Sequence, residues 1–404
     1  MPDLLPLSLR GRPPGRIRPE LGPLRRALTR LGDPQHAAPS ILVVGTNGKG
    51  STAAMVEALL EAHGVVTGLT TSPHLVRVEE RIRVRGVPVE PAALERQLAR
   101  LAPFADLTFF EMVTAAAFLT FAEAGVGVAV LEAGMGGTWD ATRAADSAIA
   151  GLTNVGGDHA AWLGDSLAER ARDKGAALAA ARWAVLGPGV ADVVLASLGA
   201  PHAVPAAELI QVVPAAPGRA RLVWEGRSLE VAVPLPGAHQ VDNLHLALAL
   251  VRCAEAAGLV GSLEGAAVVR GLAAVRWPGR LSEHRIAGRT VLLDGAHNLD
   301  GVEALAVHLE ATGARTNLLF SCLDDKPVEA MAARLAPVVG EIAVCELADE
   351  RAMPLERLAA AFPGALVVEG PADALARLPD PVLAAGSLRL VGALLELADE
   401  GGGR

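Results

Sequence analysis

The chain has 404 residues, enough for two or three domains of ordinary size, and 51% of them are apolar. The net charge of −9, with no undiluted basic cluster, argues against a nucleic-acid partner. No apolar run approaches the ~18 residues of a membrane helix. The N-terminus contains Asp3 and only a short apolar patch, so we do not expect a signal peptide. Three widely spaced cysteines form no metal or disulfide pattern, so we expect a cytoplasmic protein.

Lysine is scarce, and its scarcity marks candidate functional positions. Of the 36 basic residues only Lys49, Lys174 and Lys326 are lysine, and the other 33 are arginine. The sequence uses arginine wherever a generic positive charge serves. Each remaining lysine is therefore expected where a compact ammonium or a titratable amine is needed.

The segment from residue 41 to residue 52 predicts a phosphate-binding loop between a strand and a helix. A glycine-rich turn carrying Lys49 follows the apolar strand 41–44, and Ser51 then opens a helical pattern. Glycines let the backbone approach phosphates, and the helix N-terminus adds partial positive charge. The common spacing is G-x-x-x-x-G-K-[ST]. This loop is a variant, because Gly50 separates Lys49 from Ser51.

Strands and helices are predicted to alternate after the loop. The next elements are two strands and a helix, at 66–70, 81–85 and 91–101. A strongly apolar helix follows at 108–124, where Thr108 and Glu111 have the spacing of a capping box. Glu111 is therefore either a helix cap or a residue of a binding site.

Two polar residues follow predicted buried strands. Glu132 stands at the carboxyl end of the strand 126–131, where ligands bind in open α/β sheets. A carboxylate there is a candidate magnesium ligand, and the alternative is a turn residue. His159 follows the strand 148–155 in the same way, and it is either structural or catalytic.

Lys174 lies on the apolar stripe of the helix predicted at 166–180. Leu167, Ala171 and Leu178 fall on the same face, which is an expensive place for an ammonium. One interpretation is a lysine whose amine extends to the edge of the helix and reaches water. The other is a neutral amine that reacts with CO₂ to give an anionic carbamate, which can bridge metal ions. Burial favours the neutral amine.

The middle of the chain is less regular. Short strands punctuated by proline and glycine are expected between 183 and 235, and a long helix then passes through Asn243. The segment 271–280 is rich in helix-breaking residues. We predict that it links two globular units.

The last part of the chain returns to alternating strands and helices. Asp294, Lys326 and Ser387 each follow a predicted strand. Alternation of this kind predicts a mostly parallel sheet with right-handed crossovers. These three residues are therefore expected at one edge of that sheet.

A series of short motifs, each weak alone, runs across nearly the whole chain. They are Gly45–Ser51, Ser72–Leu75, Glu80–Ile82, Phe110-Glu111 with Thr114, Leu131-Glu132 with Gly134 and Gly136-Gly137, Asp140–Thr142, Thr153–Val155 with Asp158-His159, Lys174, Pro236-Gly237 with His239-Gln240 and Asn243, Trp277–Arg280, Asp294–Asn298 and Asp325-Lys326. In this order the series resembles the folylpolyglutamate synthase/dihydrofolate synthase family. That family belongs to the Mur ligase superfamily of ATP-dependent amide ligases.

The resemblance implies an architecture and a reaction. It implies a P-loop NTPase-like N-terminal α/β domain with a mostly parallel sheet, at 1–278, that binds ATP and folate. A smaller Rossmann-like α/β ligase domain is implied at 279–404. The implied reaction is ATP-dependent addition of L-glutamate to folates, to dihydropteroate, or to both, through an acyl phosphate. The implied enzyme is a monomer that takes small-molecule substrates.

The resemblance also implies roles for individual residues. The implied ATP contacts are Asn47, Gly48, Lys49, Gly50, Ser51, Asn243, Arg280 and Asp294. The implied ligands of two magnesium ions are Ser72, Glu132, His159 and carbamylated Lys174. The implied border of the folate site is Thr108, Phe109, Phe110, Glu111, Trp139, Asp140 and Ala141. Lys326, Ser387 and His297 are implied near the phosphoryl group or the incoming glutamate, and the implied catalytic residues are Lys49, His159, Lys174 and His297. A potassium ion is a further candidate cofactor.

Some positions depart from the family's usual pattern, namely Leu42, Thr138, Arg143 and Leu299. Thr138 and Arg143 flank the implied substrate loop, so they bear on pterin contacts and substrate preference rather than on ATP chemistry. One alternative function is a related Mur-type ligase acting on another carboxylate, such as a cell-wall precursor. Others are a P-loop kinase or motor ATPase, disfavoured by the variant loop, and a nucleotide-binding protein without catalysis.

Overall fold

Strands and helices alternate along most of the chain and are gathered into two α/β units. The computed structural model describes residues 6, 9, 10, 12, 18–158 and 160–402. Unit 1 comprises Met1–Pro234 and Gln240–Val275, and unit 2 comprises Leu235–His239 and Arg276–Arg404. Each unit contains a mostly parallel sheet, which confirms the predicted fold class.

The helices predicted after Lys49, at 91–101, 108–124 and 166–180, and through Asn243 are all present, with ends shifted by a few residues at most. The described residues form fourteen α-helices in all. They are α1 (Gly22–Arg30), α2 (Lys49–Ala62), α3 (Pro91–Leu101), α4 (Phe109–Glu123), α5 (Ala160–Leu163), α6 (Leu167–Ala180), α7 (Asp192–Leu195), α8 (His239–Ala256), α9 (Gly265–Ala274), α10 (Leu299–Thr312), α11 (Val328–Leu335), α12 (Leu355–Ala361), α13 (Pro371–Arg377) and α14 (Leu388–Gly402).

The strands are short, as expected for α/β units. They are β1 (Ser40–Val44), β2 (Thr67–Thr70), β3 (Ile82–Val84), β4 (Val87–Pro88), β5 (Val128–Glu132), β6 (Ile149–Leu152), β7 (Trp183–Leu186), β8 (Val204–Pro205), β9 (Gln211–Ala216), β10 (Arg219–Trp224), β11 (Arg227–Ala232), β12 (Ser282–Ile286), β13 (Arg289–Leu293), β14 (Asn317–Phe320), β15 (Ile342–Val344), β16 (Leu366–Val367) and β17 (Val382–Ala385).

The large sheet of unit 1 places β1 at its centre. Its order over the described residues is β4-β3-β2-β5-β1-β6-β7-β8, and all neighbouring pairs are parallel except β2–β3 and β3–β4. Leu42 pairs with Leu131 on one side and Ala150 on the other. Every residue of β1 is buried, because a central parallel strand is covered on both faces. The loops after β1, β2, β5 and β6 therefore emerge at one edge.

The second half of the predicted 183–235 region forms a separate antiparallel sheet. Strands β9, β10 and β11 are ordered β11-β10-β9 in the described part of unit 1. The sheet of unit 2 has the order β12-β13-β17-β14-β15-β16, and only β12 is antiparallel. The loops after β13, β17 and β14 leave this sheet at the same edge.

The linker predicted at 271–280 begins too early. Residues 271–274 form the end of α9, and Gly271 is buried where α9 packs on α2. A side-chain carbon at Gly271 would lie 2.8 Å from the Ala58 carbonyl oxygen. The glycine that suggested a helix breaker is instead required by close helix packing.

No helix in the described ranges is both long enough and apolar enough to cross a membrane.

Glu57 is a buried carboxyl group on α2. It is 4% exposed, and one of its oxygens has no hydrogen-bond partner among the described residues. Burial raises the pKa of Glu57 from 4.5 to about 7, although the positive charge of Arg83 opposes the rise. Between these two pH values the folded chain keeps a proton that the unfolded chain releases. Stability is therefore lost as the pH rises from 4.5 to about 7.

We expect Glu57→Gln to raise the free energy of unfolding above pH 7 by on the order of 2 kcal/mol, and to change it little near pH 4.5. The glutamine keeps the shape of the side chain and removes the charge that burial disfavours. Urea unfolding at about pH 5 and about pH 8 measures the difference. The control is Glu95→Gln, an exposed position on α3. Equal stability of wild type and Glu57→Gln at the higher pH would contradict this expectation.

Candidate active site

A glycine-rich loop joins β1 to α2 at the carboxyl edge of the large sheet. Gly48, with φ +83°, precedes the first turn of α2. The side-chain oxygen of Asn154 accepts hydrogen bonds from the backbone N–H groups of Thr46 at 3.3 Å and Asn47 at 2.9 Å. The Thr153 hydroxyl donates to the Asn47 carbonyl oxygen at 2.6 Å. The segment after β6 therefore fixes the shape of the loop.

The start of α2 has the groups that a phosphate chain and its metal ion require. Lys49 begins the helix, and its ammonium donates to the Thr46 carbonyl oxygen at 3.0 Å. Gly50 lies in the same first turn. The Ser51 hydroxyl, 1% exposed, has no hydrogen-bond partner among the described residues. The helix N-terminus adds unpaired N–H groups and partial positive charge, so the arrangement fits an anionic ligand.

Asn243, on α8, lies against this loop, as its predicted role requires. Its side-chain oxygen accepts a hydrogen bond from the Thr52 hydroxyl at 3.5 Å, and its nitrogen donates to Gln240 Oε1 at 2.9 Å. A side-chain carbon at Gly48 would overlap the Asn243 oxygen. The fold thus brings one distant predicted ATP contact to the phosphate loop.

Lys174 is buried on α6, with 1% of its surface exposed. Its Nζ donates to the Gly45 carbonyl oxygen at 2.9 Å. Burial, and then the positive charge of Lys49, lower the pKa of Lys174 to about 7, although Asp173 and Asp158 oppose the shift. The amine does not reach water, which excludes the interpretation in which it extends to the edge of the helix.

Ser72 and Glu132 meet where the neighbouring parallel strands β2 and β5 end. The Ser72 N–H donates to Glu132 Oε2 at 3.0 Å, and Glu132 is 6% exposed. Carboxylate and hydroxyl oxygens are ligands that magnesium prefers. No group of three or more His, Cys, Asp or Glu side chains in the described ranges is arranged to hold a metal ion. A metal ion at this pair would therefore take further ligands from phosphates or water.

Asp140, predicted to border the folate site, organises its own loop. One carboxylate oxygen accepts the Met135 N–H at 2.9 Å, and the other accepts the N–H and hydroxyl of Thr142 at 3.0 and 2.6 Å. Burial raises the pKa of Asp140 although these bonds oppose the rise. Ala141 is buried beside it, whereas Trp139 is 53% exposed. An aromatic surface therefore faces solvent from a fixed turn.

The two unusual residues of this loop donate hydrogen bonds to backbone oxygens, one on α6 and one within the loop. Thr138 Oγ1 donates to the Asp173 carbonyl oxygen at 3.3 Å, and Arg143 Nη1 donates to the Gly137 carbonyl oxygen at 2.6 Å. Burial lowers the pKa of Arg143, against the opposing charge of Asp146. Both departures from the family pattern thus help to hold the turn.

The N-terminus of α4 confirms the predicted capping box. The Thr108 N–H donates to Glu111 Oε2 at 2.8 Å, and the Glu111 N–H donates to Thr108 Oγ1 at 3.3 Å. The other Glu111 oxygen is buried and has no hydrogen-bond partner in the described part of the chain. The Phe110 ring lies against Gly134, where a side-chain carbon would be 2.7 Å from Cζ. The predicted folate-side segments are therefore adjacent.

Arg81 and His74 belong to the motif series but received no predicted role. Arg81 Nε donates to His74 Nδ1 at 2.8 Å, and its guanidinium lies 5.2 Å from the centre of the Phe109 ring. Arg81 is buried. It places a cation between the segment after Ser72 and helix α4, and no local pattern in the sequence indicated this contact.

Asp294 joins two loops of unit 2. Its oxygens accept the N–H groups of Leu281 at 3.0 Å and Ala296 at 2.9 Å. Burial raises the pKa of Asp294, and the positive charge of Arg280 opposes the rise. Arg280 Nη1 donates to the Gly279 carbonyl oxygen at 2.8 Å. The structure therefore brings together these two predicted ATP contacts.

The other predicted residues of unit 2 lie after neighbouring strands. His297 Nδ1 is 2.7 Å from the backbone oxygen two residues earlier. Lys326 is buried, and its Nζ is 3.3 Å from the carboxylate of the preceding residue. The Ser387 hydroxyl accepts a backbone N–H two residues later at 3.1 Å. All three follow β13, β14 or β17, so they share one edge of this sheet.

His159 lies outside the described residues, so its metal-binding and catalytic roles stay predictions.

Two domain families match the chain. Residues 43–175 match the Mur ligase middle domain, and residues 279–391 match the Mur ligase, glutamate ligase domain. A dihydrofolate synthase/folylpolyglutamate synthase of Mycobacterium tuberculosis is 38% identical over 386 residues, which cover 86% of this chain and 78% of that protein.

Solved structures are similar over almost the whole chain. Escherichia coli FolC in complex with DHPP and ADP has a TM-score of 0.85 and 26% identity, and the match covers 98% of this chain and 97% of that one. A bifunctional folylpolyglutamate synthase/dihydrofolate synthase with Mn, AMPPNP and L-glutamate bound has a TM-score of 0.80 and 26% identity, with 94% of each chain covered.

Gly48→Ala is expected to lower the free energy of unfolding by on the order of 2 kcal/mol more than Gly64→Ala. Both glycines flank α2 with similar positive φ, +83° and +84°. A side chain at Gly48 meets Asn243, whereas nothing lies within 4 Å of one at Gly64. Denaturant unfolding of the two variants measures the difference. Adding Asn243→Ala should recover part of the Gly48→Ala loss, and equal losses at both glycines would refute the close approach.

Proposed function

The chain belongs to the dihydrofolate synthase/folylpolyglutamate synthase family, and we propose that it is an ATP-dependent ligase that joins L-glutamate to folates, to dihydropteroate, or to both. One observation carries this proposal: the phosphate loop, Lys174 and the Ser72–Glu132 pair lie at one sheet edge. This arrangement has the charges needed for phosphoryl transfer. Relatives whose names and bound ligands indicate the same reaction cover most of the chain.

The proposed chemistry activates a carboxylate and then replaces phosphate with an amine. A carboxylate oxygen of the folate or dihydropteroate attacks the γ-phosphorus of ATP, and ADP leaves. The amine of L-glutamate then attacks the acyl carbon, and the bond to phosphate breaks as the amine loses a proton. Lys49 and the N–H groups of α2 offset charge on the phosphates. The protein mainly orients substrates and excludes water from a hydrolysable acyl phosphate.

We assign the metal ions to the predicted ligands. Ser72 and Glu132 would hold one magnesium ion, and Lys174, with His159, would hold or support the second. When bound, magnesium neutralises phosphate charge during transfer. The buried Ser51 hydroxyl without a partner and the buried Glu132 carboxylate fit such a site. The second magnesium ion, a potassium ion and a monomeric enzyme stay predictions.

A carbamate on Lys174 is part of this proposal. The neutral amine attacks CO₂, a C–N bond forms, and one proton is released to give R-NH-COO⁻. The low pKa of about 7 supports this step, because the neutral amine then becomes abundant near neutral pH. The anionic product would offset the charge of Lys49 and offer oxygen ligands to magnesium.

The folate-side and domain assignments complete the proposal. Residues 1–278 would bind ATP and folate, and residues 279–404 would form the ligase domain. The residues that would border the pterin are Thr108, Phe109, Phe110, Glu111, Trp139, Asp140 and Ala141. The nucleotide would be contacted by Arg280 and Asp294. The phosphoryl group or the incoming glutamate would lie near Lys326, His297 and Ser387.

Purified protein supplied with ATP, magnesium and labelled L-glutamate is expected to transfer label to dihydropteroate, to tetrahydrofolate, or to both. Chromatography of the product, with ADP release measured in parallel, checks the one-to-one stoichiometry of the ligation. Each acceptor is omitted in turn as the control. If neither acceptor gains glutamate while another carboxylate stimulates phosphate release, the alternative of a Mur-type ligase on a different substrate replaces this proposal.

Lys174→Ala is expected to lower kcat by at least ~100-fold, and short carboxylates should restore part of the activity by replacing the lost anion. The matched control is Arg172→Ala, an exposed position on the same helix. Labelled bicarbonate should give a carbamate signal in the wild type that is absent from Lys174→Ala. This signal should increase as the pH rises through about 7, where the Lys174 amine loses its proton. Full activity of Lys174→Ala would refute the carbamate.

A further inference from the structure

Two consecutive residues of α6 join the proposed folate-side loop to the phosphate loop. Lys174 Nζ reaches the Gly45 carbonyl oxygen at 2.9 Å, at the start of the phosphate loop. Asp173, immediately before it, contacts the loop 133–143 that carries Trp139. The two loops thus contact consecutive residues of the same helix.

Asp173 holds the turn at 136–138 with both its side chain and its backbone. Its Oδ2 accepts the Gly137 N–H at 2.9 Å. Its carbonyl oxygen accepts the Thr138 hydroxyl hydrogen bond at 3.3 Å. These two hydrogen bonds hold the adjacent residues Gly137 and Thr138 against α6.

Packing leaves no space between this turn and the helix. A side-chain carbon at Gly137 would lie 2.7 Å from the Lys174 carbonyl oxygen and 2.8 Å from that of Asp173. One at Gly136, which has φ +69°, would overlap the Asp173 carboxylate. The Gly137 neighbours are backbone atoms, which cannot give way as the end of a flexible side chain can. A shift of the turn toward α6 must therefore move residues 173–174.

We propose that Asp173 is a positioning residue through which the folate-side loop and the phosphate loop are coupled, so that pteroate substrate and nucleotide bind cooperatively. The inference rests on the proposed function, because it assigns a pterin substrate to the loop 133–143. A substrate that orders this loop also fixes residues 173–174, and through Lys174 it fixes the Gly45 carbonyl. The nucleotide then meets a Gly45 carbonyl whose position the bound substrate has already fixed.

The test compares ADP binding, measured by titration calorimetry with magnesium, in the absence and presence of saturating dihydropteroate. We expect the wild-type Kd for ADP to fall by about 3- to 10-fold when dihydropteroate is bound. In Asp173→Ala this factor should fall to near 1, while ADP affinity alone changes by less than about twofold. Asp173→Asn should keep most of the coupling, because an amide oxygen still accepts the Gly137 N–H. Asp192→Ala, an exposed aspartate on α7, should keep all of it.

A second variant covers the case in which Asp173→Ala does not fold. Thr138→Val removes only the hydroxyl contact with the Asp173 backbone, and it should reduce the coupling factor partly. Steady-state kinetics should show a raised KM for dihydropteroate in Asp173→Ala and near wild-type values in Asp173→Asn.

The outcomes separate this inference from the proposed function. Three results would overturn the role of Asp173 and leave the ligase proposal standing. They are full coupling in Asp173→Ala or Thr138→Val, a complete loss of coupling in Asp173→Asn, and no coupling in a wild type that binds both ligands. A wild type that binds ADP but neither binds nor uses dihydropteroate or tetrahydrofolate would overturn the proposed function, and this inference with it.

Discussion

The candidate active site, at the carboxyl edge of the unit 1 sheet, depends on one hydrogen bond. The buried Lys174 amine donates it to the Gly45 carbonyl oxygen, at 2.9 Å. Burying an ammonium costs free energy, and here the cost appears as a pKa lowered to about 7. An arginine at this position would stay charged, because its pKa is too high to be moved into this range. A lysine here can lose its proton, as the carbamate proposed above requires, whereas an arginine cannot.

The parallel sheet makes this contact possible. With β1 between β5 and β6, the phosphate loop is flanked by the segment that carries Glu132 and by the segment that carries Asn154. The neighbouring strands end beside one another, so the loops that carry these groups start from fixed positions. Glycine is required at Gly48 and Gly137 because another chain segment occupies the space of a side chain. Close packing at these two glycines therefore helps to determine the geometry of the site.

Local patterns in the sequence predicted part of this arrangement. The strand–glycine–lysine–helix order, the capping box of Thr108 and Glu111, and the apolar stripe around Lys174 each lie within a short stretch of the sequence, and the structure contains all three. Other contacts join segments far apart in sequence: the Asn47 N–H donates to the Asn154 side chain, and the Gly137 N–H donates to the Asp173 carboxylate. Periodicity and spacing carry no information on such pairs. Gly271 was misread for the same reason, since the partner that requires a glycine lies on α2.

The departures at Thr138 and Arg143 acquire a physical meaning from these contacts. Each directs a polar group to the backbone of the turn or of the helix beneath it. Trp139, between them, remains 53% exposed. The two residues therefore help to hold the turn, while the aromatic surface that it presents faces solvent. Under the proposed function, these two contacts bear on substrate preference by holding the turn that presents Trp139 to the pterin.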